Sequence, residues 1–419
     1  MKINILNFSS FLVYLLPFSL LTGPLIPELI IFFLNIVFLY SVIKEKQWKY
    51  FFNIYFYFFF SFYIYICVRS IFSVDMMFSL ESSIPYFRFG ILSLAIWFLI
   101  ENQKNFIKLF SISLLTTFLI AVIDGYFQFF FVENLFGFKS PENRMNLLLN
   151  DNLILGGYLA RFFPLLFAVL IYSFPSSKSN IIILFLLFII TDLVIYITGE
   201  RTAFALLTLS SIFIIIFISK FKLVRIYALL ASIIIITIVT IVSPTIQKRN
   251  IDHTINQMTS TVTVENKLGE ISERIVLLSP EHHSHFMTAL SMFNEKPLIG
   301  QGPNLFRVLC DDEKFKFDSK SCSTHPHNFY LQFLSELGLF GFIFLVIIIM
   351  YFSFVLVKHM ILSIRKENIK FSDYQICLIS CFVISLWPTL PTLNFFNNWI
   401  SIIMYIPVGF YLHSIYEKK

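Results

Sequence analysis

Two histidines, His325 and His327, flank a proline just ahead of a helical pattern that runs through Gly341. Proline suits the first position of a helix, so the spacing predicts His325 at the cap and His327 in the first turn. Helix N-termini favour anions and disfavour a protonated imidazole. A neutral histidine there is equipped to act as a general base beside a phosphate-bearing substrate. Two histidines capping a helix at a membrane surface satisfy the same pattern. A second candidate is Arg201, in the polar turn Thr198-Gly199-Glu200-Arg201-Thr202. The glycine permits the turn, and a guanidinium at its end can grip a phosphate with two hydrogen bonds. An interfacial arginine that binds lipid headgroups or snorkels is the plainer alternative.

These residues need elements to hold them, and the composition says which. Of 419 residues, 57% are hydrophobic and 13% charged, with 54 phenylalanines. No soluble fold hides that much apolar surface. The apolar runs are continuous and of spanning length, which excludes the short alternating segments of a transmembrane barrel. The expectation is an all-α polytopic membrane protein. Runs begin near Ile5, Ile26, Tyr50, Pro85, Phe106, Leu153, Ile181, Thr202, Ile226, Leu339, Tyr374 and Trp399, about twelve transmembrane helices. The first run shows no small-residue cleavage site and reads as a retained span.

The net charge of +6 says little, but the placement of basic residues says more. With both termini cytoplasmic, Lys2, the loops 44–49, 101–108, 175–180, 220–225 and 358–370, and the tail hold 16 of the 31 basic residues. Arg201 and His327 then fall on the same outer face. So does one long polar connection, 244–326, expected as a large periplasmic insert with short amphipathic helices in a single membrane domain, 1–419. Within it Phe286, Leu290 and Phe293 recur at helical spacing, suggesting a helix on the membrane surface. His282, His283 and His285 read as polar surface of that helix, and no metal site is expected from so common a spacing. Cys310 and Cys322 are the only cysteines of this connection, and a disulfide between them is expected in an oxidising compartment. Arg161, Asp124 and Asp192 fall inside apolar runs, where an unpaired charge costs roughly 2.5 to 3.5 kcal/mol, so they should face the interior and pair. Arg161 lining a cleft for phosphates is the functional alternative.

The order of these features resembles a known family. His327-Asn328 followed by Gly338, the Gly-Glu-Arg-Thr turn of Arg201, and Met292, Pro297, Gly300, Gly302 and Phe306 between them are similar to the O-antigen ligase and polymerase superfamily. Arg144 and the stretch Asn152 to Leu159 resemble the family more loosely, with leucines and asparagines where a glycine and a phenylalanine are usual. The resemblance spans about 144–345. It implies a glycosyltransferase of lipopolysaccharide or polysaccharide biosynthesis, multi-pass in the bacterial inner membrane, with its active site on the periplasmic side. The reaction implied is a metal-independent, inverting transfer without cofactors, from an undecaprenyl-pyrophosphate-linked glycan donor to a lipid A-core or glycan acceptor. Partners are then these substrates and membrane lipids, and no nucleic acid. In these roles His327 would activate the acceptor hydroxyl and Arg201 bind the leaving pyrophosphate. Arg274, Arg161, Arg144, Asn328 and His325 would contact substrate or support those that do. Of the two activities, ligation is favoured over polymerisation. A lipid-linked glycan transporter or flippase is the competing class, disfavoured because polar residues gather in one outer loop instead of repeated halves.

Overall fold

The computed structural model of the protein describes residues 2–140, 144–148, 152–265, 271–276, 278–365, 367 and 371–417, with backbone alone at 2–4, 261–265 and 271–275. The first half is a run of helices: α1 (Lys2–Ser19), α2 (Leu25–Glu45), α3 (Ile54–Ile71), α4 (Met76–Ser83), α5 (Phe87–Asn102) and α6 (Phe106–Phe131). Next come α7 (Leu155–Ser173), α8 (Lys178–Ile197), α9 (Arg201–Phe217) and α10 (Lys222–Val242). The polar connection holds α11 (Pro244–Gln247), α12 (His253–Met258), the strands β1 (Thr261–Glu265) and β2 (Ile271–Ile275), α13 (Pro280–Glu295) and α14 (Phe306–Leu309). The chain closes with α15 (Phe329–Gln332), a π turn (Phe333–Leu337), α16 (Gly338–Ile364), α17 (Asp373–Ser385) and α18 (Asn398–Tyr416).

Among the described residues, nine helices are long and apolar enough to cross a membrane, counting α4 with α5 and α15 with α16 as continuous segments. Three shorter apolar helices, Ile5–Ser19, α9 and α17, occupy the other predicted positions. The protein is therefore a helical, multi-pass membrane protein, as the apolar runs require. Helix α7 is the centre of the bundle: 89% of its most apolar window is buried, against 17% for α10 and for the segment carrying α16, which form the rim. Between strands β1 and β2 the polar connection departs from the all-helical expectation. They pair antiparallel, with Thr261 opposite Ile275 and Val262 opposite Arg274.

The buried charges pair differently from the sequence expectation. Asp192 accepts two hydrogen bonds from Arg225, at 2.8 and 2.9 Å, and a third from Ser232 at 2.8 Å. Arg225 had read as a loop cation, but it lies one turn inside α10, fully buried over the rings of Phe163 and Phe188. Asp124 pairs with no cation among the described residues; its carboxylate accepts from Gln128 at 2.7 Å and from the Leu135 amide at 2.8 Å. Arg161 is left to serve the end of the bundle where α7 begins.

Candidate active site

The turn that carries the histidines is built on backbone contacts. Helix α15 starts three residues later than predicted, because the cap is Asn328 and not His325. The Asn328 side-chain oxygen accepts from the amides of Tyr330 and Leu331 at 2.9 and 3.1 Å, and its amide donates to the Pro388 carbonyl at 2.9 Å. His327 cannot sit in a first helical turn, since its φ is +55°. Its carbonyl accepts from the Thr392 amide at 2.8 Å, which ties the unusual conformation to the α17–α18 connection.

Beyond α15 the π turn frees carbonyls for partners outside the helix. Those of Ser335 and Glu336 accept from the amides of Gln301 and Gly302, at 2.9 and 2.8 Å, while the Leu339 amide donates to the Pro297 carbonyl at 2.8 Å. Gly300 and Gly338 meet here backbone to backbone, both at positive φ; a Cβ on Gly338 would stand 2.5 Å from the Gly300 nitrogen. Arg69 fastens the same segment, donating at 2.7 Å to the carbonyls of Ile299 and Gly300. The buried Glu336 carboxylate accepts from the Asn304 and Phe306 amides and from Gln332, each at 3.0 Å. Sequence spacing marked these glycines but gave no reason to single out Arg69 or Glu336.

Four histidines converge on this frame. His325 is buried, with Nε2 3.0 Å from the Thr392 carbonyl and Nδ1 2.9 Å from the Thr324 hydroxyl. A carbonyl only accepts, so Nε2 carries the proton and Nδ1 accepts from Thr324, the neutral tautomer. The His327 ring is half-buried and lies 4.0 Å from that of His325, 5.3 Å from His285 and 5.4 Å from His282, centroid to centroid. Burial pushes His325 down to about 4, and burial together with the three neighbouring rings pushes His327 down to about 2. His282 and His285 are lowered as well, chiefly by burial.

This corrects the reading of His282, His283 and His285 as polar surface. Helix α13 buries His285, Phe286, Thr288, Ala289 and Met292 and packs against the π turn. The spacing of three places His282 and His285 on one side of α13, toward His327, while His283 turns away and packs on Phe317, 5.7 Å between rings. That spacing was the available signal. A clamp holds the helix start: Ser284 donates to Asp318 at 2.5 Å, and Glu281 pairs with Lys320 at 2.8 Å, which pulls the Glu281 carboxyl down to about 2. Both partners belong to the loop closed by Cys310 and Cys322, which are joined, Cα to Cα 5.0 Å. Cys310 packs in a small core with Ala289, Met292, Leu305, Phe306 and Phe315.

The arginines arrive from a second turn. Gly199, at φ +68°, reverses the chain so that Glu200 reaches α7 and Arg201 opens α9. The Glu200 carboxylate accepts from the amides of Gly156 and Gly157, at 2.7 and 3.0 Å, and so caps α7. A Cβ on Gly156 would lie 2.5 Å from the Thr198 hydroxyl, so the close approach requires glycine. Arg161 donates to the Gly157 carbonyl at 3.1 Å and Arg144 to the Leu153 carbonyl at 3.0 Å. Burial raises Glu200 to about 7, against the opposing fields of Arg144 and Arg161 and the two amides. Arg201 is exposed, donates to Thr254 at 3.3 Å, and lies near enough to His282 and to Arg144 to act on both electrostatically.

The structure thus brings His327, His325, Arg201, Arg144 and Arg161 to one end of the bundle, with Asn328 beneath the histidines as their anchor. The backbone of Arg274 lies in β2, and its side chain falls outside the described residues. Arg307, which sequence reading passed over, donates to the Thr324 carbonyl at 3.2 Å and acts on His325 from the other side. A neutral imidazole at the same end of the bundle as a group of guanidiniums can take a proton from a hydroxyl while an anion is held nearby. The chain matches no curated protein. Residues 183–346, which include Arg201, His325 and His327, match the family model described as O-antigen ligase.

Proposed function

We propose that the protein is an O-antigen ligase-like glycosyltransferase of the bacterial inner membrane, working at its periplasmic face. The donor is a glycan on undecaprenyl pyrophosphate and the acceptor a hydroxyl of a lipid A-core sugar. The observation that carries this reading is the approach of Arg201 to the histidine cluster around His327, across more than a hundred residues of sequence. The acceptor oxygen forms a bond to the anomeric carbon as the bond from that carbon to the pyrophosphate oxygen breaks. The acceptor proton passes to His327, and the electron pair leaves with the pyrophosphate. Attack opposite the leaving group inverts the anomeric centre.

Charge supports this assignment of roles. Arg144 and Arg161 act on a single carboxylate, Glu200, and Arg201 lies near Arg144, so cations outnumber the carboxylate where negative charge develops. His327, poor as a base in the empty site, gains proton affinity when an anionic pyrophosphate binds nearby. The base is therefore raised by the donor that needs it. Arg274 is proposed as a further phosphate contact from the hairpin.

The test is transfer by purified protein from a defined lipid-linked donor to a lipid A-core acceptor. A single-step product that is lost in His327→Ala, with the variant still folded in the membrane, supports ligation. A ladder of lengthened carrier-linked products assigns polymerisation instead. Undiminished transfer by His327→Ala overturns the site.

A further inference from the structure

A cavity lies at the end of the bundle opposite the histidines and arginines. Helix α7 begins at the Glu200 cap and α18 begins beside the histidine frame; Tyr172 near the end of α7 and His413 and Tyr416 near the end of α18 line this cavity. Tyr172 lies 16 residues beyond Gly156, where Glu200 caps α7, about 24 Å along the helix. Its volume is about 880 Å³, within the range of roughly 300 to 1,000 Å³ typical of small-molecule sites.

Its lining is mixed in a particular way. Glu101 is already engaged: it accepts from Tyr50 at 2.6 Å and Trp97 at 2.8 Å and pairs with Lys49. Lys108 and Glu417 are exposed on the wall and offer one charge of each sign. Trp97 and Tyr416 stack, 4.9 Å apart and 20° from parallel, presenting an aromatic face. His413 is 7% exposed, lines the cavity, and its Nδ1 has no hydrogen-bond partner among the described residues. A buried polar atom left so implies a ligand or solvent partner. At the rim stands Phe52, 69% exposed, followed by Ile54 at 76%. These belong against acyl chains.

We infer that this cavity binds the headgroup of a zwitterionic phospholipid, a phosphate ester carrying a primary ammonium, with its acyl chains along Phe52 and Ile54. Lys108 takes the phosphate; Glu417 and the Tyr416 face take the ammonium, the latter by cation–π attraction. His413 Nδ1 completes the hydrogen bonding. A purely anionic headgroup would leave Glu417 opposed, and a neutral glycan would leave both charges unused.

The experiment is native mass spectrometry of the delipidated full chain titrated with dioleoyl phosphatidylethanolamine, dioleoyl phosphatidylglycerol or soluble glycerophosphoethanolamine. The ethanolamine lipid should bind about tenfold tighter than the glycerol lipid. Lys108→Gln and Glu417→Gln, both at exposed positions, should each lose about tenfold, the size of a charged contact. Lys316→Gln, in the polar connection, should change nothing. Equal binding of the two lipids, equal binding by the two cavity variants and the parent, or equal binding of the soluble headgroup each overturns the proposal.

Discussion

The rings of His285 and His327 lie face over face, 5.3 Å apart and 28° from parallel, although α13 and the turn before α15 share no other histidine contact as close to stacked. Such a pair tolerates protonation badly, since a charge on one ring meets a desolvated neighbour. The unfolded chain binds these protons at an ordinary histidine pKa, and the folded one binds them only at lower pH. Stability contributed by the cluster is therefore full above about pH 6.5 and is lost as pH falls toward the folded values, about 4 for His325 and about 2 for His327. Melting in detergent should drop between pH 7 and pH 4.5, and the drop should shrink in His327→Gln. An equal pH dependence in parent and variant would show that the cluster does not carry the effect.

The Glu200 cap predicts a split in kinetics. In Glu200→Gln one glycine amide of α7 keeps an oxygen partner and the other meets an amide donor, an arrangement that costs about 1–3 kcal/mol at a buried site. The Arg201 turn loosens while the histidine frame is untouched. The donor KM should rise about tenfold with the acceptor KM unchanged. Measuring both on the variant decides the matter, and a rise in acceptor KM alone would contradict the assignment.

The loop between Cys310 and Cys322 supplies Asp318 and Lys320 to the start of α13. Opening a loop of this size costs about 2–4 kcal/mol. Replacing both cysteines by serine should expose residues 311–321 to protease and reduce transfer, because His282 and His285 lose their anchored helix start. Protease resistance equal to that of the oxidised parent would remove that link.

The helical frame was legible because long apolar runs have few other fates, and each predicted run has become a helix. The Arg201 turn was legible because a glycine permits it and apolar sequence follows the arginine directly, whereas the part of Glu200, which caps α7, depends on packing that the local sequence does not encode. The cap was misread because Pro326 satisfies the local rule for a first helical residue, and only the partner of the His327 carbonyl, Thr392, reveals the left-handed backbone. The partner of Asp192 was missed for a related reason. Arg225 sits near a helix end like a loop cation, and what distinguishes it is the packing of α8 against α10, which no local pattern encodes. His282 and His285 likewise owe their role to what α13 packs against.

Gly338 and Gly137 give a matched pair for the last prediction. Both have positive φ, +65° and +83°, so alanine is strained at either position, and Gly338 with ψ −170° lies in a region essentially confined to glycine. They differ in space. A Cβ at Gly137 meets nothing within 4 Å, whereas at Gly338 it meets the nitrogens of Gly300 and Ile299 at 2.5 Å, backbone that has no side chain to swing away. Relief requires parting the Pro297–Gly302 segment from the π turn, with loss of the hydrogen bonds from Gln301, Gly302 and Leu339. Gly338→Ala should therefore cost at least about 2 kcal/mol more than Gly137→Ala, visible as a lower melting temperature and weaker recovery from the membrane. The loss should extend to transfer activity, because Gly302 leads to Asn304, whose amide binds Glu336 beneath the histidines. Equal stability of the two variants would mean that the contact between Gly300 and Gly338 does not hold the site.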